Sequence, residues 1–387
     1  MISMTLLAII YISFVSLGLP DSVLGAAWPT MVHDIAAPMW GAGLVQMTVS
    51  FFTIVSSLNS ARLIRALGTG RLTAFSVALT AAALLGFAIA PHYAWLVLLA
   101  IPMGLGAGGV DSALNNYVAL HCEPWHMSWL HCFWGLGTII GPVILSAALA
   151  RGMAWRMGYG VIACLQAVLC AVLFGTLNLW KQGNVQEEER SAKVLSVPQV
   201  LAIPGAKAGM TTFFCYCALE STLLLWVPTY LVMARGVSEV QAAAFGTLFC
   251  IGMTVGRAAS GFMTLKFTPE QMVRIGQAVL VVGCVMLLTP VNAAAFAGVV
   301  VCGLGCAPVY PNIMQDTPVN YGAENSQAAI GVQMAFAYVG SMFMPTIFAA
   351  IADRVGYGLL PYFVLSLAVL MLLLFNRQKR IVNSQSR

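Results

Sequence analysis

Charge is what this sequence lacks. Its 387 residues include 18 Lys and Arg and 13 Asp and Glu, so only 8% of the chain is charged. Soluble domains carry about 25%. So few charges cannot cover the surface of a soluble protein of this size. That excludes a soluble enzyme, a nucleic-acid binder and a disordered chain. Long polar stretches are also missing, apart from 181–207. The ten cysteines are scattered through apolar runs and form no spaced framework, so they read as small apolar residues. No HExxH, GxGD or GxSG pattern is present, which argues against an intramembrane enzyme.

What is abundant is apolar sequence, 60% of the chain. A helix that crosses a bilayer needs about 20 mostly apolar residues. Twelve such runs can be placed: 3–33, 41–61, 72–90, 94–120, 128–150, 157–180, 208–233, 240–264, 272–290, 293–316, 325–351 and 357–376. The expected class is an all-α membrane protein of two pseudo-symmetric six-helix bundles. Residues 1–180 form the first bundle, 181–207 a cytoplasmic linker, 208–376 the second bundle and 377–387 a cytoplasmic tail. With both termini inside, fourteen of the eighteen Lys and Arg fall in cytoplasmic loops. Arg257 is among those fourteen, and Arg151, Arg156, Arg235 and Arg354 lie outside. The Glu187–Glu188–Glu189 run in the linker reads as a solvated face.

The halves repeat. At an offset of 199, Asp21-Ser22 falls on Glu220-Ser221, Pro29-Thr30 on Pro228-Thr229, and Gly104-Leu105-Gly106 on Gly303-Leu304-Gly305. Parallel repeats of this kind place a central site between halves.

Three acids lie well inside spans: Asp21, Asp111 and Glu220. An ionised group at the bilayer centre costs at least about 2.5–3.5 kcal/mol. No Lys or Arg is expected at the same depth, so each acid must be hydrated, hydrogen-bonded or protonated. A carboxyl poised to take up a proton is what proton coupling requires. The plainer alternative is a polar side chain satisfied by neighbouring helices. Asn115 is one turn beyond Asp111 on the same face, with Asn116 beside it, and Trp28 is seven residues beyond Asp21. Further polar positions are Gln46, Ser50, Thr53 and Ser57 along the second span, and His131, Trp134 and Thr138 along the fifth. The tenth span carries Tyr310, Asn312 and Gln315, and the eleventh Gln327 and Gln333. Singly, each reads as helix–helix glue. Together they can line a polar cavity with aromatic faces. Such a cavity suits a sugar, or an organic cation through cation–π attraction. The expected lack of an intramembrane base disfavours an anionic solute. His121, Cys122 and His126, with His131 and Cys132 beyond, do not have the spacing of a zinc site, and no metal is expected.

The chain resembles the major facilitator superfamily, and more narrowly its fucose/hexose–proton symporter-like branch. The stretches that carry the likeness are GLPDSVLGAAWPTM, GLGAGGVDSALNNYVALH, WLHCFWGLGTIIGP and GLGCAPVYPNIMQDTP. The resemblance implies alternating access about a central site, with proton coupling and sugar recognition at Asp21 and Asp111. Asp111 stands where the fucose symporter has Glu. The loop signature SARLIRALGTGR carries Arg65 where the superfamily usually has Asp. Gly137-Thr-Ile-Ile-Gly141-Pro142 resembles the core of the antiporter motif, without the glycines that usually follow. The expected function is therefore proton-coupled symport of a small neutral polar solute, a sugar, with efflux of a drug or metabolite as the alternative. No cofactor is expected beyond the coupling proton, with sodium the other candidate ion. The expected setting is the plasma (bacterial inner) membrane, with lipid and solute as partners, no nucleic acid, and a monomeric chain. Proton coupling is expected at Asp21, Asp111 and Glu220. Solute contacts are expected at Asp21, Trp28, Gln46, Asp111, Asn115, Asn116, His131, Trp134, Glu220, Tyr310, Asn312, Gln315 and Gln333.

Overall fold

The computed structural model describes residues 3–38, 41–181 and 191–385. Glu187–Glu188–Glu189 lies outside them. The described chain is helical throughout: α1 Met4–Gly18, α2 Val23–Asp34, α3 Gly41–Leu67, α4 Thr69–Ile89, α5 Tyr93–His121, α6 Pro124–Ala150 and α7 Trp155–Gly175. After a short α8, Val197–Ala202, come α9 Ala206–Arg235, α10 Glu239–Met263, α11 Pro269–Leu288 and α12 Asn292–Cys306. The last are α13 Val309–Gln315, α14 Thr317–Tyr321, α15 Ala323–Val355 and α16 Leu360–Gln385. Among the described residues, eleven spans are long and apolar enough to cross a membrane, and α10 adds the apolar stretch Leu248–Met263. Helices dominate because hydrocarbon offers backbone groups no water, so each must be satisfied within its own segment.

The chain packs as two units. One holds Met1–Cys122, Leu130–Leu195 and Ala323–Gly331; the other holds Glu123–Trp129, Ser196–Gly322 and Val332–Arg387. This differs from a cut at 181–207 in two places, because α6 begins in the second unit and α15 in the first.

The internal repeat has a packing basis. In the first unit α5 packs on α3 and α4; in the second, α12 packs on α10 and α11. Glycines permit the close approach. A Cβ on Gly104 would strike the Val49 carbonyl of α3, and one on Gly106 would strike Ser76 and Thr80 of α4. At the matching positions, Gly303 faces Phe249 of α10, and Gly305 faces Gly276 and Leu280 of α11.

Several expectations need correction. The first span is not one helix: α1 ends at Gly18 and α2 starts at Val23. Pro20 has no N–H to give the Ser16 carbonyl, so the ladder fails there. The tenth span breaks likewise between Cys306 and Val309, at Pro308. The fifth span starts at Pro124, four residues before the expected 128, leaving only Cys122 and Glu123 between α5 and α6. The tail is no tail, since α16 continues to Gln385. Gln378 and Lys379 are buried there because both find partners. Gln378 Nε2 donates to Tyr321 Oη at 2.9 Å, and Lys379 Nζ pairs with Asp316 and donates to Asn320 Oδ1 at 2.9 Å.

The Gly137-to-Pro142 stretch of α6 is a packing surface against the first helix. A Cβ on Gly137 would meet the Val15 carbonyl, and one on Gly141 the Leu19 carbonyl. Gly160 of α7 faces open space. Gly137→Ala should therefore destabilise the fold by about 1–3 kcal/mol, the usual cost of overpacking. Gly160→Ala should be near neutral. Thermal unfolding of the two purified variants in one detergent checks the contrast.

Candidate substrate and coupling site

Two prolines build the core of the first unit's polar site. Pro20 frees the Ser16 carbonyl, and Gln166 Nε2 of α7 donates to it at 2.8 Å. Gln166 Oε1 in turn accepts from Thr80 Oγ1 of α4 at 2.5 Å. Pro142 frees the Thr138 carbonyl of α6, and Ser22 Oγ donates to it at 2.5 Å. Each carbonyl lies four residues before its proline, so it has lost its regular helical donor. Side chains from neighbouring helices replace the missing N–H groups.

The break between α1 and α2 presents Asp21 outside any helical ladder. Asp21 is exposed, and its Oδ2 accepts from Trp134 Nε1 of α6 at 2.9 Å. An indole N–H is a neutral donor and can serve either protonation state of the carboxyl. A cavity of about 20 Å³ beside it is lined by Ser13, Ser16, Pro20, Asp21, Thr80 and Gln166, among others. That is room for about one water.

Three residues back along α6, less than one turn, His131 meets the second polar group. Asn115 Nδ2 donates to Asp111 Oδ1 at 2.8 Å, as their i,i+4 spacing allows. Asn115 Oδ1 faces His131 Nε2 at 3.1 Å. With Nδ2 committed to Asp111, the amide presents its acceptor to the imidazole, so His131 donates from Nε2. The ring of Phe14 meets His131 edge-on at 5.4 Å. The stripe His131, Trp134, Thr138 is thus a ladder on one helix. It reaches the Asp111–Asn115 pair, then Asp21, then Ser22.

The other predicted residues are placed more variously. Trp28 is 6% exposed, in an apolar cluster with its ring 6.2 Å from Tyr93. The bend between α1 and α2 breaks the register that put it on the Asp21 face. Gln46 is exposed, whereas Thr53 and Ser57 of the same stripe are buried against Gly108 of α5. Asn116 Oδ1 accepts from Ser326 Oγ at 2.7 Å. His121 packs on Tyr117, and His126 stacks on Trp125.

In the second unit, Glu220 of α9 faces Arg257 of α10, with Nη2 and Oε1 3.5 Å apart. Arg257 is only 3% exposed. This overturns the expectation that no cation lies at the depth of the buried acids. Arg257 belongs to the interior of α10 and not to a cytoplasmic loop, and its long side chain reaches Glu220. One turn before Glu220, Tyr216 donates its hydroxyl to the Cys306 carbonyl at the second helix break, at 3.0 Å. The Tyr310 ring lies 6.1 Å from Tyr216 and 4.7 Å from Phe213. Asn312 is buried, its Nδ2 donating to the Pro308 carbonyl, and its Oδ1 has no partner among the described residues. Gln315 is buried, and Gln333 Oε1 accepts from Thr317 Oγ1 at 2.9 Å.

Sequence reasoning missed Gln166, Ser22, Tyr216 and the depth of Arg257. Gln166 carried a signal as a lone amide in an apolar span, and Arg257 as a guanidinium inside the span 240–264.

A family model described as the Major Facilitator Superfamily matches residues 10–345. The chain belongs to that superfamily. It is a transport protein and not an enzyme, a multi-pass protein of the bilayer. The hexuronate transporter of Bacillus subtilis (strain 168) is 23% identical over 378 residues, covering 87% of this chain and 85% of that protein. The efflux pump apf11 of Gibberella fujikuroi is 32% identical over 155 residues, 39% of this chain and 27% of the pump. The crystal structure of the E. coli fucose:proton symporter FucP superposes with a TM-score of 0.73 at 15% identity, covering 97% of this chain and 98% of that one.

The Glu220–Arg257 pair makes a stability prediction. Removing one partner leaves a buried charge uncompensated, at about 3–5 kcal/mol, whereas removing both is far cheaper. Glu220→Gln and Arg257→Met should each lower the thermal midpoint strongly. The double variant should recover most of the loss. A double-mutant cycle on purified protein measures the coupling, and additive losses would contradict it.

Proposed function

We propose that the chain is a secondary active transporter that moves a small polar solute, a neutral sugar, by proton symport and alternating access. The observation that carries this reading is Asp21. It is an exposed carboxylate at a helix break within a membrane span, held by a neutral indole donor beside a small cavity. Broken helices that expose polar groups near the midplane are where transporters of this architecture bind solute and coupling ion. Protonation removes the charge of Asp21 without removing its bond to Trp134, so the site can close around the neutral form at lower electrostatic cost. The half-buried Trp134 offers an apolar face to sugar C–H groups beside a carboxyl for the hydroxyls.

Asp111 is the second acid of the reading. Asn115 holds it and is itself bonded to His131, and together the three form a set of hydrogen-bonding groups suited to solute hydroxyls. Glu220 fits a proton-coupling role less well than Asp21, because Arg257 already neutralises it. Arg257 also removes the earlier ground for a neutral solute, the absence of a base. The remaining ground is that the Glu220–Arg257 pair carries no net charge. Fucose–proton symport and hexuronate transport among similar proteins support a sugar-like solute, and the proton is preferred to sodium on the same footing. The Lys and Arg bias supports cytoplasmic termini in a plasma membrane, with the single chain as the working unit. Each charge moved inward gains about 2.3 kcal/mol per 100 mV.

Proteoliposomes under an inward proton gradient test the reading with a panel of radiolabelled neutral sugars and uronates. A neutral sugar should accumulate in the wild type. Asp21→Asn should abolish gradient-driven accumulation yet keep sugar exchange at zero gradient, since the amide mimics the protonated acid. Asp111→Asn should impair both. Undiminished accumulation by Asp21→Asn refutes proton coupling there, and outward movement driven by the same gradient would favour the efflux alternative.

A further inference from the structure

Arg257 is a base at membrane depth, and nothing in the internal repeat calls for it. At the offset of 199 that relates the halves, Glu220 matches Asp21, but Arg257 matches Leu58. The second unit thus holds a guanidinium where the first holds an apolar side chain. Stability gives it no reason to be there, since a buried ion pair is on balance no better than apolar groups of the same shape. Charged side chains kept inside spans mark the paths of ions and solutes.

The geometry puts the acid in front of the base. The Glu220 side chain is 15% exposed and that of Arg257 4%. An anion arriving from the open side meets the Glu220 carboxylate first. The contact is loose, with Nη2 and Oε1 3.5 Å apart. Elsewhere in the same unit, Arg274 holds Glu270 through Nε at 3.1 Å and Nη2 at 2.9 Å. Glu220 lies one turn beyond Tyr216, whose hydroxyl serves the Cys306 carbonyl at the break in the tenth span. Broken helices of this kind are where transporters contact solute.

We propose that Glu220 is a specificity residue: its carboxylate occupies Arg257 in the place an anionic solute would take, and so reserves the carrier for neutral sugars. The inference rests on the reading of this chain as a sugar carrier. A guanidinium offers the same forked donors to any carboxylate. The tethered carboxylate of Glu220 outcompetes a free one through its high effective concentration. Truncation to Ala removes Cγ and the carboxyl, the atoms of one acetate, and leaves a gap of that shape before Arg257. The ligand class that fits it is a carboxylate, as acetate or as the acid group of a uronate.

The test uses the purified full chain in a neutral detergent, with thermal unfolding as the readout. Glu220→Ala is titrated with sodium acetate, sodium glucuronate, sodium chloride and glucose at matched ionic strength. Acetate and glucuronate should raise its midpoint saturably, and chloride should not. In the wild type the same carboxylates should need concentrations about tenfold higher or more. Glu220→Ala/Arg257→Met, which lacks the base, should respond to neither. Glucose reports on the neutral-sugar site, so a missing glucose response counts against the carrier reading and leaves the carboxylate result standing. The proposal is overturned if neither carboxylate shifts Glu220→Ala, or if chloride matches them. It is also overturned if the wild type responds as Glu220→Ala does, or if the double variant keeps the response. A Glu220→Ala chain that stays unfolded in both carboxylates, while the double variant folds, overturns it as well.

Discussion

A backbone carbonyl without a donor, in a medium without water, is the constraint on which this architecture turns. Pro20 and Pro142 each create one such carbonyl. The first helix and α6 then resolve the problem through each other and through α7: Gln166 serves Ser16, and Ser22 serves Thr138. These bonds fix the bend of the first helix, and the bend places Asp21 beside Trp134. The glycines of the Gly137-to-Pro142 stretch bring the two helices close enough for the bonds to form. A motif that resembles an antiporter signature is thus accounted for by packing, and direction of transport does not follow from it.

The buried charges obey a parallel rule. Asp21 meets a neutral donor, Asp111 an amide, and Glu220 a guanidinium. These environments separate three acids that looked alike in the sequence. A carboxyl bonded only to a neutral group can change its proton without stranding a partner. One paired with a buried Arg cannot, because neutralising it leaves Arg257 uncompensated. The same reasoning distinguishes the two halves: in this structure the first unit holds the adaptable acids and the second an internally balanced pair.

Much of the fold was legible because bilayer crossing imposes long apolar runs, and these read directly from composition. The repeat was legible too, since Gly104 with Gly106 and Gly303 with Gly305 keep their roles in the two halves. The i,i+4 relation of Asp111 and Asn115 and the α6 stripe followed from helical periodicity. Trp28 misled because periodicity holds only while the helix is unbroken, and Pro20 ends it. Lys379 misled because a charged residue near a chain end reads as solvated until its partner Asp316 is located.

By itself the sequence determined a polytopic helical membrane protein with two repeated halves, and the positions of its rare acids and of its prolines. These are one-dimensional facts, set by apolar run length and by the missing N–H of each proline. The tertiary structure alone decided which neighbour answers each freed carbonyl and each charge. Gln166 is 150 residues from Ser16, Trp134 is 113 from Asp21, and Arg257 is 37 from Glu220. Such pairings depend on which helix faces pack together, and no local pattern in the chain encodes them.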